Sequence, residues 1–175
     1  AFDHLEQAGK VRHFGVSNQN PMMMELLKTA VKQPLKVNQL QLSAAFTPSF
    51  EAGFHVNMEG PKAAVRDGSV FEYCRLTDTV IQAWSVLQHG YFKGNFVGKE
   101  EFAALNHVLN DLAKKYQVTP TAIALAWVLR YPGKMQAVIG TTKPQHVLEA
   151  GKATKVNLTR KEWYQIYLAA GNDLP

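Results

Sequence analysis

Residues 136–153 read QAVIGTTKPQHVLEAGKA. A short apolar run, 136–140, passes through Gly140 and two threonines into a stretch with helical spacing. Thr142 followed three residues later by Gln145, with Pro144 in the first turn, has the form of a capping box, so a helix is predicted from Thr142 to Ala153. The same strand-then-helix order recurs upstream. Residues 11–16 (VRHFGV) read as a strand, followed by Ser17-Asn18 and a helix from Pro21 to Val31. A second strand is predicted at 37–42 (VNQLQL), a helix at 68–76 and a third strand at 79–84 (TVIQAW). After it comes LQHGYFKGNFVGK (87–99), punctuated by Gly90, Gly94 and Gly98. Amphipathic helices at 100–116 and 120–130, the latter with Pro120 just inside its start after Thr119, lead back to the opening stretch. A last helix, 159–170, begins with a second capping box, Thr159 with Glu162. At the other end, Phe2, Leu5 and Ala8 are helically spaced and stop at Gly9.

Strand and helix alternating four times imply parallel strands joined by crossover helices, an α/β fold. An eight-stranded barrel of about 250 residues allots about 31 residues to each strand–helix unit. The 175 residues here, with their insertions, therefore amount to half of a (β/α)8 TIM barrel. The expected organisation is one domain over residues 1–175. Four strands leave unpaired edges, and the chain opens inside a helical pattern with no N-cap. The expectation is thus that the other half of the barrel is missing from this sequence. The connection 43–66 is long enough to be functional. Within it, Phe46, Phe50 and Phe54 either wall a substrate pocket or form one face of a short packed helix.

Composition narrows the function classes. A hydrophobic fraction of 46% and a charged fraction of 19% are those of a globular protein. One cysteine, Cys74, excludes an internal disulfide and suits a reducing cytoplasm. No signal peptide pattern opens the chain, and no apolar run reaches membrane-spanning length. The net charge is +5, and the basic residues are scattered, among them Lys28, Lys32, Lys36, Lys93, Lys99, Lys114 and Lys115. Without a basic run, nucleic acid is disfavoured and a small phosphorylated ligand is the better partner.

Functional residues of such barrels cluster where strands end. These positions hold Ser17-Asn18, then Asn38, Gln39 and Gln41, then Trp84-Ser85, then Gly140-Thr141-Thr142. The predicted helix start at Thr142, with Lys143 and His146 beside it, offers backbone N–H groups and positive charge to an anion. A well-capped surface helix explains the same residues. Gln39, Ser17 and Asn18 have the donors and acceptors to grip a carboxamide, or simply satisfy one another. Trp84 is either a stacking platform for a flat ring or part of the core.

Other chemistries fail on their motifs. Gly15-Val16-Ser17-Asn18-Gln19 lacks the second glycine of a nucleophile elbow. Neither GxGxxG nor GxxxxGK[ST] occurs. The six histidines have no zinc-ligand spacing, so no metal is expected. Cys74 has no CxxC partner and reads as a buried small residue.

Four ordered segments carry a family resemblance. GKVRHFGVSN (9–18), VNQLQLS (37–43), AWSVLQHG (83–90) and VIGTTKPQHVLEA (138–150) resemble, in order and spacing, the cofactor segments of the aldo-keto reductases. The ending LTRKEWYQIYLAAGNDLP (158–175) is similar to a bacterial subgroup of predicted oxidoreductases, and the resemblance covers the whole chain. It implies the C-terminal half of the barrel, four parallel strands with intervening helices. It also implies NADPH as cofactor and reduction of aldehyde or ketone carbonyls to alcohols.

Carried over by position, Ser17, Asn18 and Gln39 match the residues that hold the nicotinamide carboxamide. Trp84 matches the aromatic position that stacks on the nicotinamide ring. Ser85, Leu87, Gln88 and Gly90 match the pyrophosphate segment, and Gly140, Thr141, Thr142 and Lys143 the segment around the adenosine 2′-phosphate. His146 stands where the family often has Arg, which puts preference for NADPH over NADH in question. Glu149 matches an adenine contact, while Ala150 replaces a common Asn.

The family's catalytic Asp, Tyr, Lys and His lie in its first four strand–helix units and have no counterpart here. No catalytic residue is therefore assigned, and the chain alone is expected to be inactive. The implied partners are a small carbonyl substrate and the first half of the same barrel. The alternative is a non-catalytic nucleotide-binding or regulatory relative, which binds NADPH without turnover. A half barrel that dimerises to close, with no cofactor, is a third reading.

Overall fold

The computed structural model describes residues 1–54, 70–90 and 93–173. In chain order the elements are α1 (Phe2–Gln7), β1 (Phe14–Ser17), α2 (Pro21–Lys28), β2 (Leu35–Gln41), α3 (Pro48–Phe54), α4 (Val70–Leu76) and β3 (Val80–Trp84). They continue with α5 (Ala103–Tyr116), α6 (Pro120–Leu129), β4 (Met135–Ala137), α7 (Pro144–Gly151) and α8 (Arg160–Ala169). The strands form one sheet in the order β1-β2-β3-β4, every pair parallel. The expected α/β alternation with four parallel strands is what forms.

Period-two alternation gives the sheet two unlike faces. Leu40 of β2 and Ile81 and Ala83 of β3 are buried against the helices, in one core with Leu105, Leu109, Ile123 and Trp127. The other face carries Ser17, Val37, Gln39, Gln82, Trp84 and Gln136, none of them buried. The candidate site side chains Ser17, Gln39 and Trp84 project from this open face.

One glycine sets the spacing of the first pair of strands. The β1–β2 register slips between Phe14 and Gly15. A Cβ on Gly15 would stand 2.6 Å from Val37 Cβ and 2.8 Å from Val37 O. Only a residue without a side chain tolerates that approach. Gly15→Ala is expected to lower the denaturant midpoint by an amount worth about 1–3 kcal/mol. An unchanged midpoint would show that β1 is free to move away.

Helix starts follow local chemistry. Asn20 Oδ1 accepts from Met23 N at 2.9 Å and Pro21 opens α2. Thr119 accepts from Ala122 N at 3.2 Å, as the sequence indicated, and the Thr159/Glu162 capping box forms at α8. The box expected at Thr142 does not form. Lys143 is the N-cap of α7, without a side-chain bond, and the helix starts at Pro144. The proline ring disfavours helical geometry in the residue before it, and Lys143 is extended at φ −87, ψ 118. Thr141, not Thr142, turns inward: its Oγ1 accepts from Lys143 N at 3.2 Å. The helix also ends at Gly151, passing into a 3-10 turn over Lys152–Lys155.

The long connection carries structure that the sequence reading left open. α3 lies within it, and Phe50 is 2% exposed, its ring against Phe71, Trp127, Tyr131, Trp163 and Tyr167. Phe50 is thus core and not a pocket wall, and Phe46 is half-buried. The rest of the connection, 55–66, lies outside the described residues. Strand bounds shift as well. β1 starts at Phe14 because its ladder begins where Leu35 becomes available, and β4 pairs only over Met135–Ala137.

Candidate functional site

β1 ends at Ser17, and Asn18 then takes a left-handed φ of 53. This turns the chain back over β2, where Ser17 Oγ and Asn18 N both donate to the Gln39 carbonyl, at 3.0 Å each. Beneath them Asn38, fully buried on the helix side, donates from Nδ2 to Gln19 O at 2.8 Å. It thereby fixes the loop that carries Ser17 and Asn18. The same asparagine reaches Met24 Sδ and hydrogen-bonds the Cys74 thiol. Burial pushes that thiol up to about 11 against the bond from Asn38. Cys74 stays protonated near neutrality, which removes it as a nucleophile.

β3 ends at Trp84, paired in register with Gln41, and Ser85 adopts φ 52. A non-glycine residue in that region is uncommon and marks a chain held by its surroundings. Gln88 N donates to Ser85 O at 2.8 Å, closing a turn over 85–88, and Ser43 Oγ donates to Gln88 O. The glycine-punctuated loop beyond is anchored by Asn106 of α5. Its Oδ1 accepts from Gly98 N at 2.8 Å, and its Nδ2 donates to Phe96 O and Lys99 O at 3.0 Å and to Phe102 O at 3.1 Å.

Between the end of β3 and the start of α7 lies a cleft of about 560 Å³, within the usual range for small-molecule sites. From the β3 side it receives Trp84, Ser85, Leu87 and Gln88. From the α7 side come Gly140, Thr141, His146 and Glu149. Ser17, Asn18 and Gln39 stand on neighbouring strands of the open face, outside the cleft lining, as do Gly90, Thr142 and Lys143 in their loops. Gly90 is buried at φ 147, whereas Thr142 and Lys143 are exposed at the rim.

Sequence reasoning missed the floor, which Thr121 and Leu125 of α6 supply with Val138 and Ile139. The i,i+4 spacing of Thr121 and Leu125 was the available signal, obscured because α6 is buried from Ala122 to Val128. It also missed Asn95, which pairs with Gln88 across an isolated bridge.

The polar inventory suits a ligand rich in both donors and acceptors. Among the described residues, Gln88 Oε1 is buried with no hydrogen-bond partner, and so is Gln41 Nε2 beside Trp84. Gln88 lines the cleft, where an unmet acceptor carries a desolvation cost that a ligand donor would relieve. At the far end, Thr141 Oγ1 lies 3.4 Å from His146 Nδ1 and accepts from the backbone N–H of Lys143, an exposed residue. Gln145 donates to Glu149 at 3.4 Å, bracing that carboxylate at the cleft edge. Among the described residues, no group of His, Cys, Asp or Glu side chains is placed to hold a metal ion, and no helix is long and apolar enough to cross a membrane.

A sequence model of the Aldo/keto reductase family matches residues 1–169. The chain is 32% identical to 6-dehydroglucose reductase of Agrobacterium fabrum, over 99% of this chain and 52% of that protein. It is also 32% identical to oxidoreductase YdhF of Escherichia coli, over 100% of this chain and 53% of that one. The chain therefore spans about half the length of the curated relatives it matches. Among solved structures, the thermostable aldo-keto reductase Tm1743, in complex with the inhibitor epalrestat, superposes with a TM-score of 0.68 at 20% identity. That match covers 96% of this chain and 52% of the other, so the fold corresponds to half of such a barrel.

Proposed function

The chain belongs to the aldo/keto reductase family, and from that premise we propose that it holds NADPH along its strand ends, in a protein that reduces small carbonyl compounds. The observation that carries this reading is the cleft between β3 and α7. It gathers Trp84, Ser85, Leu87, Gln88, Gly140, Thr141, His146 and Glu149, positions that the strand-end reading and the family resemblance together had singled out.

Each residue has a task under this reading. Asn18 and Gln39 hold the carboxamide, with Ser17 tying β1 to β2 beneath them. Trp84 presents its ring to the nicotinamide. The 85–88 turn and Gln88 Oε1 meet the pyrophosphate and ribose region, where Gln88 accepts from a sugar hydroxyl. Thr141, Thr142, Lys143 and His146 receive the 2′-phosphate, and Glu149 the adenine. When bound, the cofactor supplies the hydride for the carbonyl carbon. Reduction also needs a proton at the carbonyl oxygen, and none of the residues 1–175 matches the family's donor. The chain by itself is accordingly expected to bind without turnover.

Lys143 is the residue to test. An exposed ammonium beside a phosphate contributes a charge-assisted contact. Lys143→Met is expected to weaken NADPH by about 10-fold, about 1.4 kcal/mol, and NADH by less than about 2-fold. Fluorescence titration of both nucleotides measures this. Equal loss for the two would place the 2′-phosphate elsewhere. Turnover is assayed on the intact protein against small aldehydes, ketones and an oxidised sugar of the kind named for the Agrobacterium relative. Tight NADPH binding with no turnover on any of them would favour the non-catalytic reading.

A further inference from the structure

A second cavity, of about 300 Å³, is lined by Glu72 and Arg75 of α4, Arg130 and Tyr131 just after α6, and Arg160 and Tyr164 of α8. Arg75 shortly precedes β3 and Tyr131 shortly precedes β4. The cavity therefore lies where the chain enters its strands, at the opposite end of the sheet from Trp84 and Gly140. The turn into β4 packs on α4 here: a Cβ on Gly133 would stand 3.4 Å from Arg75 Cγ.

The charge in this cavity is unbalanced. Three guanidinium groups and one carboxylate line it, leaving two positive charges. Among the described residues, none of the three arginines is in an ion pair. Each has one fixed contact instead. Arg130 Nε donates to Leu158 O at 2.9 Å, Arg160 lies 5.7 Å from the centre of the Tyr164 ring, and Arg75 stands beside the Tyr131 hydroxyl. A guanidinium has five N–H donors, so one contact anchors the fork and leaves most of its donors for a ligand. All three arginines are exposed, so a ligand reaches them. The acid is unmet as well. Glu72 Oε2 is buried without a hydrogen-bond partner, although Arg75 shares its helix face at i,i+3.

We propose that this cavity binds a small phosphorylated polyol or sugar, its phosphate held by Arg75, Arg130 and Arg160 and a hydroxyl donating to Glu72. A phosphate monoester carries close to two negative charges at neutral pH, which balances the cavity. Guanidinium forks hold phosphate oxygens in pairs. The space exceeds a phosphate group and reaches the low end of small-molecule sites, which leaves room for the polyol body. A hydroxyl of that body supplies the donor that Glu72 Oε2 lacks. The rings nearby serve as walls: Trp163 is stacked on Trp127 and Tyr167, and Tyr131 on Phe50. Chemistry in such barrels belongs to the carboxyl ends of the strands, so this is a binding site and not a second active site. It stands independently of the NADPH reading.

The test is equilibrium titration with glycerol 3-phosphate, inorganic phosphate and glycerol at constant ionic strength. Glycerol 3-phosphate has no carbonyl to be reduced. Saturating 2′-phospho-ADP-ribose, which has no nicotinamide ring, is present to occupy the cofactor cleft. Native protein is expected to bind glycerol 3-phosphate about 10-fold more tightly than inorganic phosphate, and glycerol not measurably. Arg75→Met and Arg160→Met are each expected to weaken glycerol 3-phosphate by about 10-fold. Arg75→Lys is expected to weaken it nearly as much, because an ammonium lacks the fork. Glu72→Leu removes the acceptor and is expected to bring ester and inorganic phosphate within about 2-fold of each other. Glu72→Gln keeps an oxygen and is expected to retain most of the preference. Lys143→Met is expected to change none of these affinities, whether or not the cleft binds a nucleotide.

No saturable binding of glycerol 3-phosphate to native protein would overturn the proposal. Binding that Arg75→Met and Arg160→Met both leave intact would overturn it too, and the exposed Arg160 keeps this readable if substitution at 75 disturbs α4. Loss on Lys143→Met instead would put the phosphate in the cofactor cleft. Equal native affinity for the ester and inorganic phosphate would mean an adventitious anion on exposed arginines only, and would equally end the proposal.

Discussion

Replacing Trp127 by alanine is expected to remove about 3–5 kcal/mol of stability, on the scale of other buried Trp and Phe truncations. Trp127 is 1% exposed and lies at the junction of α6 with α8. Its ring is stacked on Trp163 at 4.8 Å with the planes 9° apart. The two indoles also bond reciprocally, Trp127 Nε1 to Trp163 O and Trp163 Nε1 to Trp127 O, both at 3.0 Å. Truncation therefore opens a cavity and removes a buried side-chain bond to the Trp163 carbonyl at the same time. It also undercuts Phe50 of α3, whose ring lies 6.0 Å from Trp127. Against a total stability of about 5–15 kcal/mol, such a loss takes the protein close to unfolding. Urea denaturation measures it, and a loss below about 1 kcal/mol would mean that the α6–α8 seam repacks freely. Trp127→Phe restores part of the volume but not the N–H, and is expected to recover roughly half of the loss.

The second large effect is on acid stability, through Glu162. Burial of this carboxyl would raise its pKa, but hydrogen bonds overcome that and hold it down at about 2. Lys115 Nζ donates at 2.6 Å, Thr159 N at 2.7 Å, and the hydroxyls of Thr159 and Tyr116 at 2.8 Å each. A carboxyl whose pKa is lower when folded stabilises the fold above its unfolded value. That contribution fades as pH falls from the ordinary carboxyl value of 4.5 towards about 2. With Lys115 largely exposed, solvent screens part of the gain, leaving roughly 2 kcal/mol at neutral pH. Glu162→Gln is expected to cost about that at pH 7, with the difference from native protein shrinking through this window. A variant whose deficit stays constant down to pH 2 would show that the charge contributes nothing.

Much of the fold was legible because its cues are local. Alternation of polar and apolar residues marked β2 and β3. Thr119-Pro120 and Thr159 with Glu162 marked helix starts that form as expected. At α7 two local cues competed. A capping pattern pointed to Thr142, but the steric demand of Pro144 on its neighbour won and moved the start to Lys143. α3 was obscured because its core residue, Phe50, is buried through contacts with rings far along the chain.

The candidate site was legible where the chemistry sits at strand ends, as at Trp84 and Thr141. Features that depend on register were not. Asn38 and Gln39 are neighbours in sequence, yet one braces a loop from the helix side and the other joins an amide row on the open side. Asn106 likewise looks like any polar residue on an amphipathic helix, until the loop at 96–102 folds onto its amide.

The strand ends beside the cleft between β3 and α7 are proposed to bind NADPH. Calorimetric titration of the protein with NADPH, repeated with 2′-phospho-ADP-ribose present, tests that claim most directly. The expected result is saturable binding at one site, competed by the ring-less ligand and weakened by Lys143→Met. No heat and no quenching of protein fluorescence up to millimolar NADPH, from protein shown to be folded, would contradict it.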